Sequence, residues 1–90
     1  MRTAPPPRHI LLVDDDKPIT RALSLKLTRS GYSVSIATSG TEAIEQCTQT
    51  HYDLIILDLV MPNKDGFEVL QELRKTDTRT PIIIWSNLSQ

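Results

Sequence analysis

Three short runs of apolar residues constrain this chain more than any other feature of its sequence. They lie within residues 9–13, 53–57 and 80–85, and Asp14, Asp58 and Ser86 follow them directly. A run of four or five residues that is apolar at every position is typical of a strand in a parallel sheet that helices cover on both faces. The pattern therefore predicts an α/β fold.

The segments between the runs have helical periodicity. After Asp16, which can cap a helix, apolar residues recur every three or four positions until Gly31, a natural helix stop. A second helix is predicted to open at 39–42 and a third to span about 67–75. Residues 32–37 alternate between apolar and polar side chains, which indicates a half-covered strand near a sheet edge. Strands that alternate with helices predict a doubly wound parallel sheet with right-handed crossovers.

Composition limits the classes of protein that the chain can belong to. It has 90 residues, 39% of them hydrophobic and 23% charged, and a net charge of -1, which suits one globular domain. No apolar run approaches the roughly 20 residues that cross a bilayer. Residues 1–8 form a proline-rich tail that we expect to be disordered, and Cys47 is a single cysteine, so no internal disulfide can form. We expect a cytoplasmic protein without membrane contact and, lacking a basic face, without direct nucleic acid binding by this segment.

Polar side chains at the ends of the strands predict a site. Parallel α/β sheets bind ligands at the carboxyl ends of their strands, where residues 14–16, Asp58 and Ser86 would converge. Converging carboxylates repel one another unless a cation is bound or one of them keeps its proton. Mg²⁺ takes oxygen ligands from a few carboxylates, and a carboxylate can also act as a nucleophile that forms an aspartyl phosphate. The residues alone leave open whether these acids are a magnesium and phosphate site or ordinary turn and cap residues.

The same segments resemble the receiver domains of bacterial response regulators. Residues 10–16 are similar to their first strand and acid pair, and residues 81–86 to their fourth strand with its switch hydroxyl. Residues 53–66 contain the pattern Asp-Leu-x-Met-Pro-x-x-Asp-Gly, which resembles their phosphorylation segment. The resemblance covers residues 9–90 and implies a flavodoxin-like (βα)5 fold that is truncated after the fourth strand. On that basis 9–90 would be an incomplete receiver domain without the fourth helix, fifth strand and fifth helix.

The resemblance also implies a role for each residue at the strand ends. Asp58 would accept a phosphoryl group from a sensor histidine kinase or a phosphotransfer protein in a two-component phosphorelay. Asp15 would be the main Mg²⁺ carboxylate, Asp14 would hold a metal-bound water, and Asp58 with the backbone carbonyl of Val60 would complete the metal ligands. Ser86 would bond the phosphoryl group as a switch hydroxyl. Such a domain is no enzyme beyond its own phosphorylation and dephosphorylation, and nothing in the sequence indicates the downstream effector.

Two other functions remain open at this point. Asp14-x-Asp16 matches the pattern of aspartate-nucleophile phosphatases, although the lysine and cap of those enzymes are not apparent. A degenerate scaffold that binds partners without phosphorylation is the other, because the family's lysine on the fifth strand has no counterpart here. Without a fifth strand we also expect the fourth to be an apolar edge, with either Ile82 and Ile84 or Ile83 and Trp85 facing water.

Overall fold

A computed structural model describes residues 8–59 and 66–85 of the chain. Strands and helices alternate through these residues. In chain order they are β1 (His9–Val13), α1 (Lys17–Arg29), β2 (Ser33–Ala37), α2 (Gly40–Gln49), β3 (Leu54–Asp58), α3 (Gly66–Thr76) and β4 (Ile82–Trp85).

The four strands form one parallel sheet in the order β2-β1-β3-β4. This arrangement confirms the predicted parallel sheet and puts β2 at an edge. Val13, the last residue of β1, lies opposite Ala37 on one side and Leu57 on the other. The carboxyl ends of the three strands are therefore level with one another.

Helices cover both faces of the sheet, so that β1 and β3 are apolar at nearly every position. Leu11 and Leu57 point into the layer of α2 and α3, where they pack with Val69 and Leu73 in the main core cluster. Alternate residues such as Leu12 point to the opposite face, toward α1, and Leu12 is also buried. This doubly wound arrangement confirms the fold class that the apolar runs predict.

The helices begin and end where local chemistry requires. Asp16 is the N-cap of α1, and its Oδ1 accepts a hydrogen bond of 3.2 Å from the backbone N–H of Ile19. The helix stops before Gly31, which adopts a φ of 98°, a left-handed conformation that favours glycine. Ser39 caps α2 in the same way as Asp16 caps α1. Among the described residues, no helix is long and apolar enough to cross a membrane.

Exposure of β4 differs from the prediction that one whole face of this strand would meet water. Ile83 is 52% exposed and Ile84 is 40% exposed, although they point to opposite faces of the sheet. Ile82 instead packs against the core cluster, and Trp85 is half-buried. Each face of β4 is therefore partly covered, and β3 is its only neighbouring strand within residues 8–59 and 66–85.

Candidate functional site

Two buried carboxyl groups lie side by side at the carboxyl end of the sheet. Because Val13 and Leu57 are paired across β1 and β3, the next residues in each strand direction, Asp14 and Asp58, are brought together by the register. Asp14 is 3% exposed and Asp58 is 1% exposed. Asp14 is held by the sheet itself, since its backbone N–H donates to the Ala37 carbonyl at 3.0 Å.

A third carboxylate, that of exposed Asp15, completes a compact acidic group. One carboxylate oxygen from each of Asp14, Asp15 and Asp58 can be chosen so that all lie within 4.8 Å of one another. Three carboxylates at this spacing repel one another strongly where two of them are removed from water. The structure thus brings together three of the residues that the sequence points to.

The surroundings of Asp14 leave one of its oxygens without a donor. Its Oδ1 accepts a hydrogen bond of 2.9 Å from the backbone N–H of Asp16. Its Oδ2 is the one buried side-chain oxygen or nitrogen in the described part of the chain that has no hydrogen-bond partner. Burial raises the pKa of Asp14 to about 6, opposed by the Asp16 N–H and reinforced by the nearby Asp58 and Asp15 carboxylates.

These observations fit a small divalent cation. An ion between the three carboxylates would supply the partner that Asp14 Oδ2 lacks. It would also offset the repulsion that adds to the effect of burial on the pKa of Asp14. All three side chains offer oxygen, the ligand type that Mg²⁺ prefers, and Mg²⁺ is commonly bound through few carboxylates while it keeps several waters. The donor set therefore suits Mg²⁺ better than a metal that prefers nitrogen or sulfur.

Asp16 does not join the acidic group, although it directly follows Asp15. Its carboxylate is engaged as the cap of α1 through the Ile19 N–H, as the sequence predicts. Val60 and Ser86, the remaining predicted site residues, lie outside the described residues. The residues that precede them in sequence are hydrogen-bonded, since Leu59 N–H donates to the Trp85 carbonyl at 3.0 Å.

Gly66 ends the Asp-Leu-x-Met-Pro-x-x-Asp-Gly pattern, but the sequence predicts no role for it at this corner. The third helix is predicted to begin at about residue 67, whereas Gly66 is the first residue of α3 and is buried. A Cβ at this position would lie 2.5 Å from the Leu59 Cα and 2.8 Å from the Asp58 carbonyl oxygen. A glycine at the start of an otherwise regular amphipathic helix is the signal that hints at such a close approach.

The histidines lie at the end of the sheet opposite the acidic corner. His9 begins β1, where its Nε2 is 2.8 Å from Ser35 Oγ, and His51 is a highly exposed neighbour of Asp53. Cys47 is half-buried against the core cluster, and burial raises the pKa of its thiol, with a smaller contribution from Asp77. These contacts are those of structural residues.

Comparisons with a family model and with curated proteins both find response regulators or transcriptional regulators. A family model described as the response regulator receiver domain matches residues 10–90. The uncharacterized transcriptional regulatory protein YkoG of Bacillus subtilis is 46% identical over 76 residues, which are 84% of this chain and 33% of that protein. The chain spans about a third of the length of the curated relatives that it matches first.

Solved structures are similar over nearly the whole chain. The response regulator TrrA from Thermotoga maritima, in complex with Mg²⁺–BeF, is 38% identical with a TM-score of 0.85, covering 91% of this chain and 71% of that one. A structure of histidine kinase ThkA in complex with TrrA matches at 37% identity with a TM-score of 0.84, covering 92% of this chain and 72% of that one. With its flavodoxin-like parallel sheet and its acidic corner, this chain belongs to the response regulator receiver domain family.

Proposed function

We propose that this receiver domain accepts a phosphoryl group on Asp58 in a Mg²⁺-dependent reaction. The observation that carries the proposal is the buried carboxyl group of Asp58, which lies within 4.8 Å of carboxylate oxygens from both Asp14 and Asp15. A carboxylate oxygen can attack phosphorus. A new P–O bond then forms as the bond between phosphorus and the donor breaks, and the product is an aspartyl phosphate.

The other acids would prepare the site for that reaction. Asp14 and Asp15 would hold Mg²⁺ together with Asp58, and the resemblance adds the backbone carbonyl of Val60. When bound, the ion neutralises the charge that otherwise repels an anionic phosphoryl donor from three carboxylates. Support comes from the unpartnered Oδ2 of Asp14 and from the related TrrA structure, which contains Mg²⁺–BeF.

The phosphoryl donor would be a sensor histidine kinase or a phosphotransfer protein. In that step the nitrogen–phosphorus bond of a phosphohistidine breaks as the Asp58–phosphorus bond forms. The structure of ThkA in complex with TrrA supports a kinase as partner, since TrrA is 37% identical to this chain. A cytoplasmic location suits such an exchange and is part of the proposal.

Ser86 would report the phosphorylation to the rest of the domain. A phosphoryl group adds charge and acceptor oxygens, and a hydroxyl that bonds these oxygens favours the conformation of the domain in which that bond can form. We expect Ser86→Ala to be phosphorylated but to lose most of the change in Trp85 fluorescence, while Ser89→Ala keeps it. A full fluorescence response in Ser86→Ala would contradict the switch role.

Intact mass spectrometry after incubation with acetyl phosphate and Mg²⁺ tests the acceptor directly. The unaltered chain should gain one phosphoryl group, and Asp58→Asn should gain none. Asp53→Asn is the matched control, because Asp53 directly precedes the same strand at its other end and is exposed. Adduct on Asp58→Asn, or its loss in Asp53→Asn, would refute Asp58 as the acceptor.

The same reaction separates the alternatives. A phosphatase that uses Asp14-x-Asp16 would release phosphate continuously, whereas a receiver stops at one phosphoryl group for each chain until that group is lost. Engagement of Asp16 as a helix cap argues against the phosphatase. A folded chain that forms no adduct would instead favour the phosphorylation-independent scaffold.

A further inference from the structure

We infer that Gly66 is a positioning residue for the acidic corner, an inference that rests on the function proposed for Asp58. The start of α3 lies directly on the backbone that follows the acceptor. The Gly66 N–H donates to the Leu59 carbonyl at 3.2 Å, and the space for a Cβ is filled by backbone atoms of Asp58 and Leu59.

Those atoms cannot move aside as a flexible side chain does. An added Cβ would lie 2.5 Å from the Leu59 Cα, 2.8 Å from the Asp58 carbonyl oxygen and 2.9 Å from the Leu59 carbonyl oxygen. An ordinary contact begins at 3.4 Å, so either α3 or the end of β3 must shift to admit a methyl group. Leu57 is paired with Val13 of β1, and Asp58 is paired with Trp85 of β4, so a shift at the end of β3 would move Asp58 relative to both neighbouring strands.

Such a shift matters at this site because the positions of the three carboxylates follow from the positions of the main chain that carries them. Asp58 meets Asp14 and Asp15 through the register of β1 and β3. Mg²⁺ demands nearly ideal octahedral geometry, with oxygens at about 2.0–2.1 Å, and tolerates displaced ligands poorly. The absence of a side chain at Gly66 therefore helps to set the carboxylates at a spacing that one ion can bridge.

The chain provides a matched control in Gly31, which has a different reason to be glycine. Gly31 adopts a φ of 98°, and a Cβ there would meet nothing within 4 Å. Gly31→Ala thus strains the backbone conformation without displacing a neighbour, and Gly31 follows the end of α1 that is remote from Asp14. Gly66→Ala displaces neighbours beside the acceptor.

The experiment compares the unaltered chain, Gly66→Ala and Gly31→Ala. Mg²⁺ affinity is measured by titration calorimetry, the rate of phosphorylation by acetyl phosphate with mass detection, and stability by urea unfolding followed through Trp85 fluorescence. Gly66→Ala should weaken Mg²⁺ binding and slow phosphorylation by about tenfold or more. Gly31→Ala should lower the midpoint of unfolding while both site measurements stay unchanged. If Gly66→Ala is only partly folded, all three chains are compared in sucrose, which favours the compact state.

The outcomes distinguish failure of the positioning role of Gly66 from failure of the function proposed for Asp58. Equal Mg²⁺ affinity in Gly66→Ala and Gly31→Ala would overturn the role of Gly66, as would a Gly66→Ala chain that stays unfolded even in sucrose. An unaltered chain that binds Mg²⁺ without forming an adduct would refute the phosphoacceptor function, and the Mg²⁺ comparison would still decide the role of Gly66. An unaltered chain that binds no Mg²⁺ would refute both.

Discussion

The carboxyl group of Asp14 makes the metal-free domain sensitive to pH. Its pKa is about 6 in the fold and 3.8 in a model peptide, so the folded chain holds this proton more tightly than the unfolded chain does. Without metal, the stabilisation that Asp14 contributes should therefore be complete below about pH 4 and should be lost as the pH rises through about 6, on the order of 1 kcal/mol for each unit of pKa difference. Asp14→Asn should remove this decline.

Urea unfolding in EDTA between about pH 4 and pH 7 measures this contribution as a difference between variants. Glu45→Gln serves as the control, because it removes an exposed carboxylate of α2 that is not part of the acidic group. A decline of the same size in Asp14→Asn would mean that other groups cause the pH dependence.

Asp16 allows a separate test of its role as a cap. Asp16→Ala should lower the free energy of unfolding by about 1 kcal/mol, because the Ile19 N–H loses its acceptor. Asp16→Asn, which can still accept that bond, should keep most of the stability. Both variants should be phosphorylated at the rate of the unaltered chain, whereas loss of the adduct in Asp16→Asn would point to chemistry at this carboxylate.

Among individual residues, the sequence predicts the carboxylates of the site better than it predicts the contacts around them. Asp14, Asp15 and Asp58 could be identified because each follows an apolar strand, and strand ends meet in a parallel sheet. A glycine at the start of α3 indicates a close approach, but the atoms that it approaches could not be predicted, since they depend on where α3 begins relative to Leu59. Val60 and Ser86 remain predictions from the resemblance alone.

Among the elements, β2 has an edge that a side chain of α2 partly covers. The Ala37 carbonyl points toward β1, so the preceding carbonyl, that of Ile36, points to the free edge. Gln46 Nε2 donates to that carbonyl at 3.2 Å, and Gln46 Oε1 accepts from the buried Tyr52 hydroxyl at 3.0 Å. One amide thus satisfies an edge acceptor and a core hydroxyl, and helps to protect the edge from pairing with other strands.

Gln46→Leu should destabilise the domain by about 1–3 kcal/mol, because the Tyr52 hydroxyl and the Ile36 carbonyl lose their partner. Gln49→Leu, an exposed position of the same helix, should change the free energy of unfolding little. Urea unfolding of the two variants measures the difference, and equal losses would show that the amide contributes nothing specific.

Element boundaries were predictable where a single local rule dominates. The cap at Asp16 and the stop before Gly31 define α1 in the sequence and in the structure alike. Burial along β2 departs from simple alternation, because Ser35 is half-buried beside His9. That contact comes from the neighbouring strand, so a pattern read along β2 alone does not contain it.

In the molecule as a whole, β4 is the surface most suited to association. Ile83 and Ile84 are both substantially exposed on a strand with one neighbour among the described residues. We expect the 90-residue chain to self-associate with rising concentration, and the double variant Ile83→Thr, Ile84→Thr to shift it toward monomer. Leu25→Thr is the control, since Leu25 is 53% exposed on a helix rather than on a strand edge.

Sedimentation velocity over a range of concentrations measures that shift. If Leu25→Thr reduces association as much as the β4 double variant does, general surface hydrophobicity rather than the strand edge would be responsible. The doubly wound layers were predictable at this scale, because alternation of strands and helices allows few topologies, and the strand order is that of the flavodoxin-like fold that the resemblance implies. The distribution of exposure along β4 was not, since it depends on how far each face is covered.

The pairing of Val13 with Leu57 has a consequence for how genes of this kind can vary in length. Loss of one codon within β1 or β3 would slide one acid past the other by about 3.3 Å and turn its side chain to the opposite face of the sheet. Loss of a codon in the turn between α2 and β3 leaves that pairing free to re-form. Heritable length changes should therefore gather in the turns, while the two strands that carry Asp14 and Asp58 keep their number of residues.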